Sequence, residues 1–104
     1  MDVEGLRRCV ESDDLVWRRH AVERMVDQHI LEGAVRRVLL EGEVIEEYEA
    51  DRPFPSALFL GFIDERPIHV VASYHAAGEC GYVITAYQPD ERHFESDFKT
   101  RRKS

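Results

Sequence analysis

The chain has 104 residues, a formal net charge of −7 and 43% hydrophobic residues. This length and composition predict one soluble domain, residues 1–104, that folds around one core without a metal or a disulfide. The acidic balance argues against charge-driven coating of nucleic acid, which needs a broad excess of Lys and Arg. Because neither a membrane-length apolar run nor a signal pattern is present, we expect a cytoplasmic protein with no membrane contact and with reduced Cys9 and Cys80.

The first 42 residues carry apolar side chains at helical spacing. Residues 2–12 have a stripe that predicts a short first helix. Two further helices are predicted over residues 21–30 and 31–42, and Gly42 ends the second.

After Gly42 the pattern becomes that of strands, with many β-branched and aromatic residues. Four strands are predicted from the segments "EVIEEYE", "SALFLGFI", "RPIHVVASYH" and "GYVITAY". The links between them are short, so neighbouring strands must be antiparallel. The sequence therefore predicts an α+β fold with N-terminal helices packed on one face of a four-stranded antiparallel β meander.

The last segment resembles a helix. Asp90 is a suitable N-cap, Phe94 and Phe98 are one turn apart, and a basic tail, residues 100–104, would complement the helix dipole. We therefore expect a C-terminal helix after the sheet.

The stretch "RRHAVERM", residues 18–25, suggests a site for an anion. His20 and Arg24 stand at i and i+4, so they project from one face of a helix and could contact the same anion. Most basic residues of the chain are Arg, which recognises phosphate in a forked geometry.

Alternation along the third predicted strand separates His69 from its most apolar face, and Gly61 is expected about opposite His69, where it would leave a pocket. On the fourth strand Val83, Thr85 and Tyr87 are expected to share a face. Either Thr85 or Tyr87 could then lie beside His69, because the register is not set by the sequence.

These side chains fit metal-independent cleavage of RNA. That reaction needs a base for the ribose 2′-hydroxyl, an acid for the leaving oxygen and cationic donors for the phosphoryl group. The predicted catalytic residues are His20, Arg24, His69, Thr85 and Tyr87. The alternative is a non-catalytic interaction module, in which the same residues are structural and an exposed edge strand or the acidic segment "EEYEAD", residues 46–51, binds a basic partner.

No cofactor or metal is predicted. The chain has neither a phosphate-binding Gly loop nor a dinucleotide motif. His75 and Cys80 flank one hairpin, but two ligands without a second pair do not make a zinc site.

The blocks "HAVERM", "LLEGEVIEEYEADRPFPSALFLG", "RPIHVVASY" and "GYVITAYQPD", followed by Phe94 and "DFKTRR", together resemble a bacterial family of domains of unknown function, family 4258. The resemblance covers about residues 16–102 and leaves the first helix, within residues 1–15, outside it.

Proteins of this family look like relatives of RelE-like and BrnT-like ribonuclease toxins, with helices followed by a curled antiparallel sheet. The resemblance implies a ribonuclease-like toxin of a toxin–antitoxin pair, with RNA and a small zinc-finger antitoxin as partners. It places recurring polar residues at positions that include all five of the predicted catalytic residues.

Overall fold

The computed structural model describes residues 1–103 and contains three helices and a five-stranded sheet in that range. The α+β class predicted from the sequence is confirmed. In chain order the elements are α1 (Val3–Glu11), β1 (Leu15–Trp17), α2 (Arg19–Gln28), α3 (Glu32–Glu41), β2 (Glu43–Tyr48), β3 (Ser56–Ile63), β4 (Arg66–His75) and β5 (Cys80–Tyr87). None of these helices is long and apolar enough to cross a membrane.

The strands form one sheet in the order β1-β5-β4-β3-β2. Strands β2 to β5 are the predicted antiparallel meander. The sequence analysis missed β1, which lies parallel to β5 and pairs Leu15 with Gly81 and Trp17 with Val83. Three residues between two helices are too few to show the alternation that identifies a strand, so the sheet is mixed and has one strand more than predicted.

The predicted C-terminal helix is wrong. Residues 88–103, called the C-terminal segment below, form turns and one bridge between Phe94 and Arg101. The Asp90 carboxylate accepts bonds from nearby backbone N–H groups, and Asp97 does the same further along the segment. Asp side chains that satisfy local backbone donors stabilise turns in competition with a helix, and here they form two successive turns.

The helices cover one face of the sheet, and the main core lies between the helices and that face. Ile68, Val70 and Ala72 of β4 face this core, where Leu6 of α1 and Leu39 of α3 are fully buried. The alternate residues of β4 face away from the helices, as alternation predicted. The sheet therefore has a second face, to which His69 belongs.

A β-bulge in β5 divides the residues that the sequence analysis placed together. Val71 of β4 pairs with Thr85, but the next residue, Ala72, pairs with Val83, so Ile84 is the additional residue. Paired residues share a face, and Val83 therefore points to the helices while Thr85 points to the second face. The predicted common face is wrong for Val83 and correct for Thr85 and Tyr87.

Gly61 does not lie opposite His69. His69 pairs with Leu60, whereas Gly61 pairs with Ile68 on the helix side of the sheet. A Cβ on Gly61 would lie 2.8 Å from a methyl carbon of Val38, so this glycine permits close packing of α3 on the sheet instead of forming a pocket.

Replacement by Ala of the two glycines at the ends of α3 is expected to change stability in opposite directions. A Cβ at Gly42 would lie 2.6 Å from the Leu60 carbonyl oxygen, whereas nothing lies within 4 Å of a Cβ at Gly33. Gly42→Ala should lower the free energy of unfolding by roughly 1–3 kcal/mol, whereas Gly33→Ala should raise it by up to about 1 kcal/mol. Urea unfolding measures both, and a stabilised Gly42→Ala protein would contradict the packing of α3 on β3.

Candidate functional site

His69 is completely buried on the second face of the sheet, with 0% of the residue exposed. Its Nε2 lies 2.7 Å from the Phe98 carbonyl oxygen, and its Nδ1 lies 3.3 Å from the Tyr87 hydroxyl. A carbonyl only accepts, so Nε2 donates and Nδ1 accepts from Tyr87. Burial lowers the pKa of His69 and outweighs the bond to Phe98, which raises it. His69 is thus a neutral side chain with both ring nitrogens bonded.

The C-terminal segment covers His69. Phe94 is 3% exposed, and its ring meets the His69 ring edge to face at 4.6 Å between centroids. Further along, Arg101 donates two bonds to the Glu46 carboxylate, at 2.8 and 3.1 Å. These contacts hold the C-terminal segment on the sheet, although the segment is not helical.

The Glu46 carboxylate on β2 is charged within this network. Burial raises its pKa, but hydrogen bonds from Arg101 and Tyr48 outweigh burial and the pKa lies below its usual value. The hydrogen bonds of Arg101 to Glu46 and to Tyr48 raise the pKa of Arg101. The pair therefore ties β2 to the C-terminal segment as an ion pair.

A pocket of about 240 Å³ opens between the end of α2 and the C-terminal segment, and we call it the Arg24 pocket. Its lining residues are Arg24, Gln28, Tyr87, Gln88, Pro89, Asp90, His93, Phe94 and Arg101.

Arg24 is the available cation of this pocket. Its Cζ lies 4.9 Å from the centroid of the Tyr87 ring, a cation–π distance. Within residues 1–103, Arg24 has neither an ion pair nor a hydrogen bond from its side chain, in contrast to Arg101, which is held by Glu46. Arg24 is therefore placed by stacking and keeps its donors for an anion.

His93 also lines the Arg24 pocket, and Asp90 orients its ring. Nδ1 of His93 is 2.8 Å from the Asp90 carboxylate, so Nδ1 donates and Nε2 is left as the acceptor. The bond from His93 lowers the pKa of Asp90. With its side chain 71% exposed, His93 is accessible to a bound molecule.

The other predicted residues lie elsewhere. His20 is exposed and lines a different pocket of about 360 Å³, called the Arg52 pocket, so it does not share a site with His69. Thr85 is near Tyr87 in the strand, but its hydroxyl is buried and has no hydrogen-bond partner among residues 1–103. The lining of the Arg52 pocket is Arg18, His20, Asp51, Arg52, Pro53, Phe54, Ser73 and Ile84.

The structure thus brings Arg24, Tyr87 and His69 into one chain of contacts, with His69 beneath Tyr87. Sequence reasoning missed His93 and Arg101. The spacing Asp90-x-x-His93 was a usable signal, because an Asp that caps a turn can reach a side chain three residues on. Within the described residues, no group of three or more His, Cys, Asp or Glu is arranged to hold a metal ion.

Comparison with known proteins gives one result. The model of the family described as "Domain of unknown function (DUF4258)" matches residues 17–88, more than half of the chain, and the chain belongs to that family. No curated protein and no solved structure matches the chain. The matched range contains Arg24, His69 and Tyr87 and ends at residue 88, the first residue of the C-terminal segment, whereas the sequence analysis had extended the resemblance to about residue 102.

The neutral state of His69 predicts a dependence of stability on pH. The unfolded chain binds a proton at an ordinary pKa of about 6.5, but the folded chain binds it only at lower pH. The stabilising contribution of His69 is therefore complete above about pH 6.5 and is lost as the pH falls below that value.

Urea unfolding at several pH values measures this loss in the wild type and in His69→Gln. The variant, which cannot titrate at this position, should lose less stability between about pH 7.5 and 5.5. The other histidines are common to both proteins, so equal losses would contradict a neutral, buried His69.

Proposed function

We propose that the chain is a ribonuclease-like protein that cleaves RNA without a metal at the Arg24 pocket. The observation that carries this proposal is the juxtaposition of Arg24, which is unpaired among the described residues, with His93, whose ring is oriented by Asp90. A cation for the phosphoryl group and a base for the 2′-hydroxyl are two of the three functions that the reaction requires.

The proposed reaction is an internal transfer at phosphorus. Nε2 of His93 takes the proton of the ribose 2′-hydroxyl, and that oxygen attacks the adjacent phosphorus. The bond to the 5′ oxygen breaks, and this oxygen takes a proton from water. The hydroxide that remains takes back the proton held by His93, which restores the neutral base. Arg24 balances the charge that accumulates on the phosphoryl oxygens. The products are a 2′,3′-cyclic phosphate and a free 5′-hydroxyl.

His69 acts as a positioning residue in this account. Its ring accepts a hydrogen bond from the Tyr87 hydroxyl. The Arg24 guanidinium in turn packs on the Tyr87 ring. Burial raises the pKa of Tyr87, so the phenol stays protonated and keeps donating to His69. In this proposal the accessible His93, instead of the buried His69, is the base.

The biological role that we propose is that of a cytoplasmic bacterial toxin, similar to RelE-like and BrnT-like proteins, which a small zinc-finger antitoxin neutralises. The support is the family membership together with a cationic pocket of suitable chemistry. The net charge of −7 means that RNA is attracted only locally, at arginines such as Arg24.

A second candidate function is the non-catalytic interaction module. The observation that favours it is the state of His69, which is fully buried with both ring nitrogens bonded, as in a structural residue. Strand β2 is also an edge of the sheet and exposes Glu43 and Glu47, which suit a basic partner.

An RNA cleavage assay in EDTA separates the two functions. Arg24→Gln and His93→Gln should each lower kcat/KM by about 100-fold or more, since one removes the phosphoryl cation and the other the base. The matched control is Arg37→Gln, which removes an exposed arginine of α3 that is paired with Glu41. Its activity should equal that of the wild type. Failure of the wild type to cleave any RNA would favour the module.

The toxin role has its own test in cells. Expression of the wild type in a bacterium should arrest growth, and expression of His93→Gln, which lacks the proposed base, should not. Growth arrest of equal strength with both proteins would contradict a role for cleavage in toxicity.

A further inference from the structure

We propose that the Arg52 pocket binds a nucleotide, with the phosphate held by Arg18 and Arg52 and the base placed against Phe54. The pocket has a volume of about 360 Å³, which lies in the range of small-molecule sites. It is distinct from the Arg24 pocket, and no residue lines both.

Two arginines supply the positive charge. Arg18 and Arg52 are exposed, and neither is paired with a carboxylate within the described part of the chain. Arg52 donates to the carbonyl oxygens of Ala50 and Asp51, and Arg18 lies over the Tyr82 ring at 5.2 Å. These contacts restrict both side chains and leave forked donors free, which is the arrangement that phosphate prefers.

Helix α2 begins at this pocket. Arg18 is its N-cap residue and no side chain caps its first N–H groups, so the positive end of a ten-residue helix is open to an anion without competition.

Ser73 is a second and independent indication of a ligand site. It lines the pocket, is only 5% exposed and has no side-chain hydrogen bond to any residue from 1 to 103. The Ser73 hydroxyl is thus free to bond to a ligand group in the pocket.

The aromatic ring in the lining is that of Phe54. Phe54 stacks on His75 at 4.2 Å with an angle of 14° between the rings, and lies 5.6 Å from Tyr82. Flat aromatic surfaces beside arginines are typical of sites that stack nucleic-acid bases.

Asp51 favours a nucleotide over a simple phosphate ion. Its carboxylate also lines the pocket and accepts a bond from the Ser56 hydroxyl. A phosphate ion has few hydrogen-bond donors for a carboxylate. A nucleotide carries ribose hydroxyls and base N–H groups that can donate to it. The lining thus contains a partner for each part of a nucleotide.

The pocket lies on the same sheet face as His69, because Ser73 alternates in phase with His69 on β4. His20 at this pocket and Arg24 at the other are one helical turn apart, about 6 Å along the axis. The site is nevertheless independent of cleavage, since a mononucleotide would bind whether or not the chain is a ribonuclease.

The test is an NMR titration of the ¹⁵N-labelled protein with 5′-AMP and 5′-UMP, and with adenosine, uridine and inorganic phosphate for comparison. At least one nucleotide should shift the amide signals of Arg18, Phe54 and Ser73 in a saturable way. The nucleosides and phosphate should bind about tenfold more weakly, since each lacks one half of the contacts.

Three variants locate the binding. Arg52→Gln and Phe54→Leu should each weaken nucleotide binding by about tenfold, and the control Arg37→Gln should leave it unchanged. A trinucleotide that binds more tightly than the mononucleotide and shifts the same amides identifies an RNA strand as the ligand, whereas equal affinities identify a free nucleotide. Absence of saturable shifts, or equal binding by Arg52→Gln and the wild type, would overturn the proposal.

Discussion

The hydrogen bond from Nε2 of His69 to the Phe98 carbonyl oxygen is the contact on which the candidate site depends. It joins the middle of the sheet to the C-terminal segment, which has no helix or strand of its own. A buried imidazole with only one nitrogen satisfied would be costly, so the bond to Tyr87 completes the arrangement. Together the two bonds place Tyr87 under Arg24 and bring His93 to the same pocket.

The functional chemistry is thereby divided between two layers. Buried groups, His69 and the Glu46–Arg101 pair, hold the segment in place, and the accessible groups Arg24 and His93 remain available for a ligand. This division explains how an acidic chain can present a cationic pocket, because the positive charge is needed only at a few positions. It also explains why the most buried histidine is the least suited to transfer a proton.

Much of the fold was predictable, because the strand segments differ clearly from the helices in periodicity. Strand β1 was not, since three residues show no period, and the bulge at Ile84 was not, since an inserted residue reverses the faces beyond it. For the site, alternation placed Thr85 and Tyr87 on one face and left open which of them lies beside His69; in the structure Tyr87 pairs with His69. Alternation could not reveal that Phe98 covers His69, because that contact joins residues 29 apart through an irregular segment.

An NMR spectrum of the histidine side chains, recorded as a function of pH, tests this central contact most directly. The account predicts that His69 is neutral with the proton on Nε2 and that it stays neutral as the pH is lowered past about 6.5, where an ordinary histidine takes up a second proton. A His69 ring that titrates near that pH, or that carries its proton on Nδ1, would contradict the anchoring of the C-terminal segment and the site built upon it.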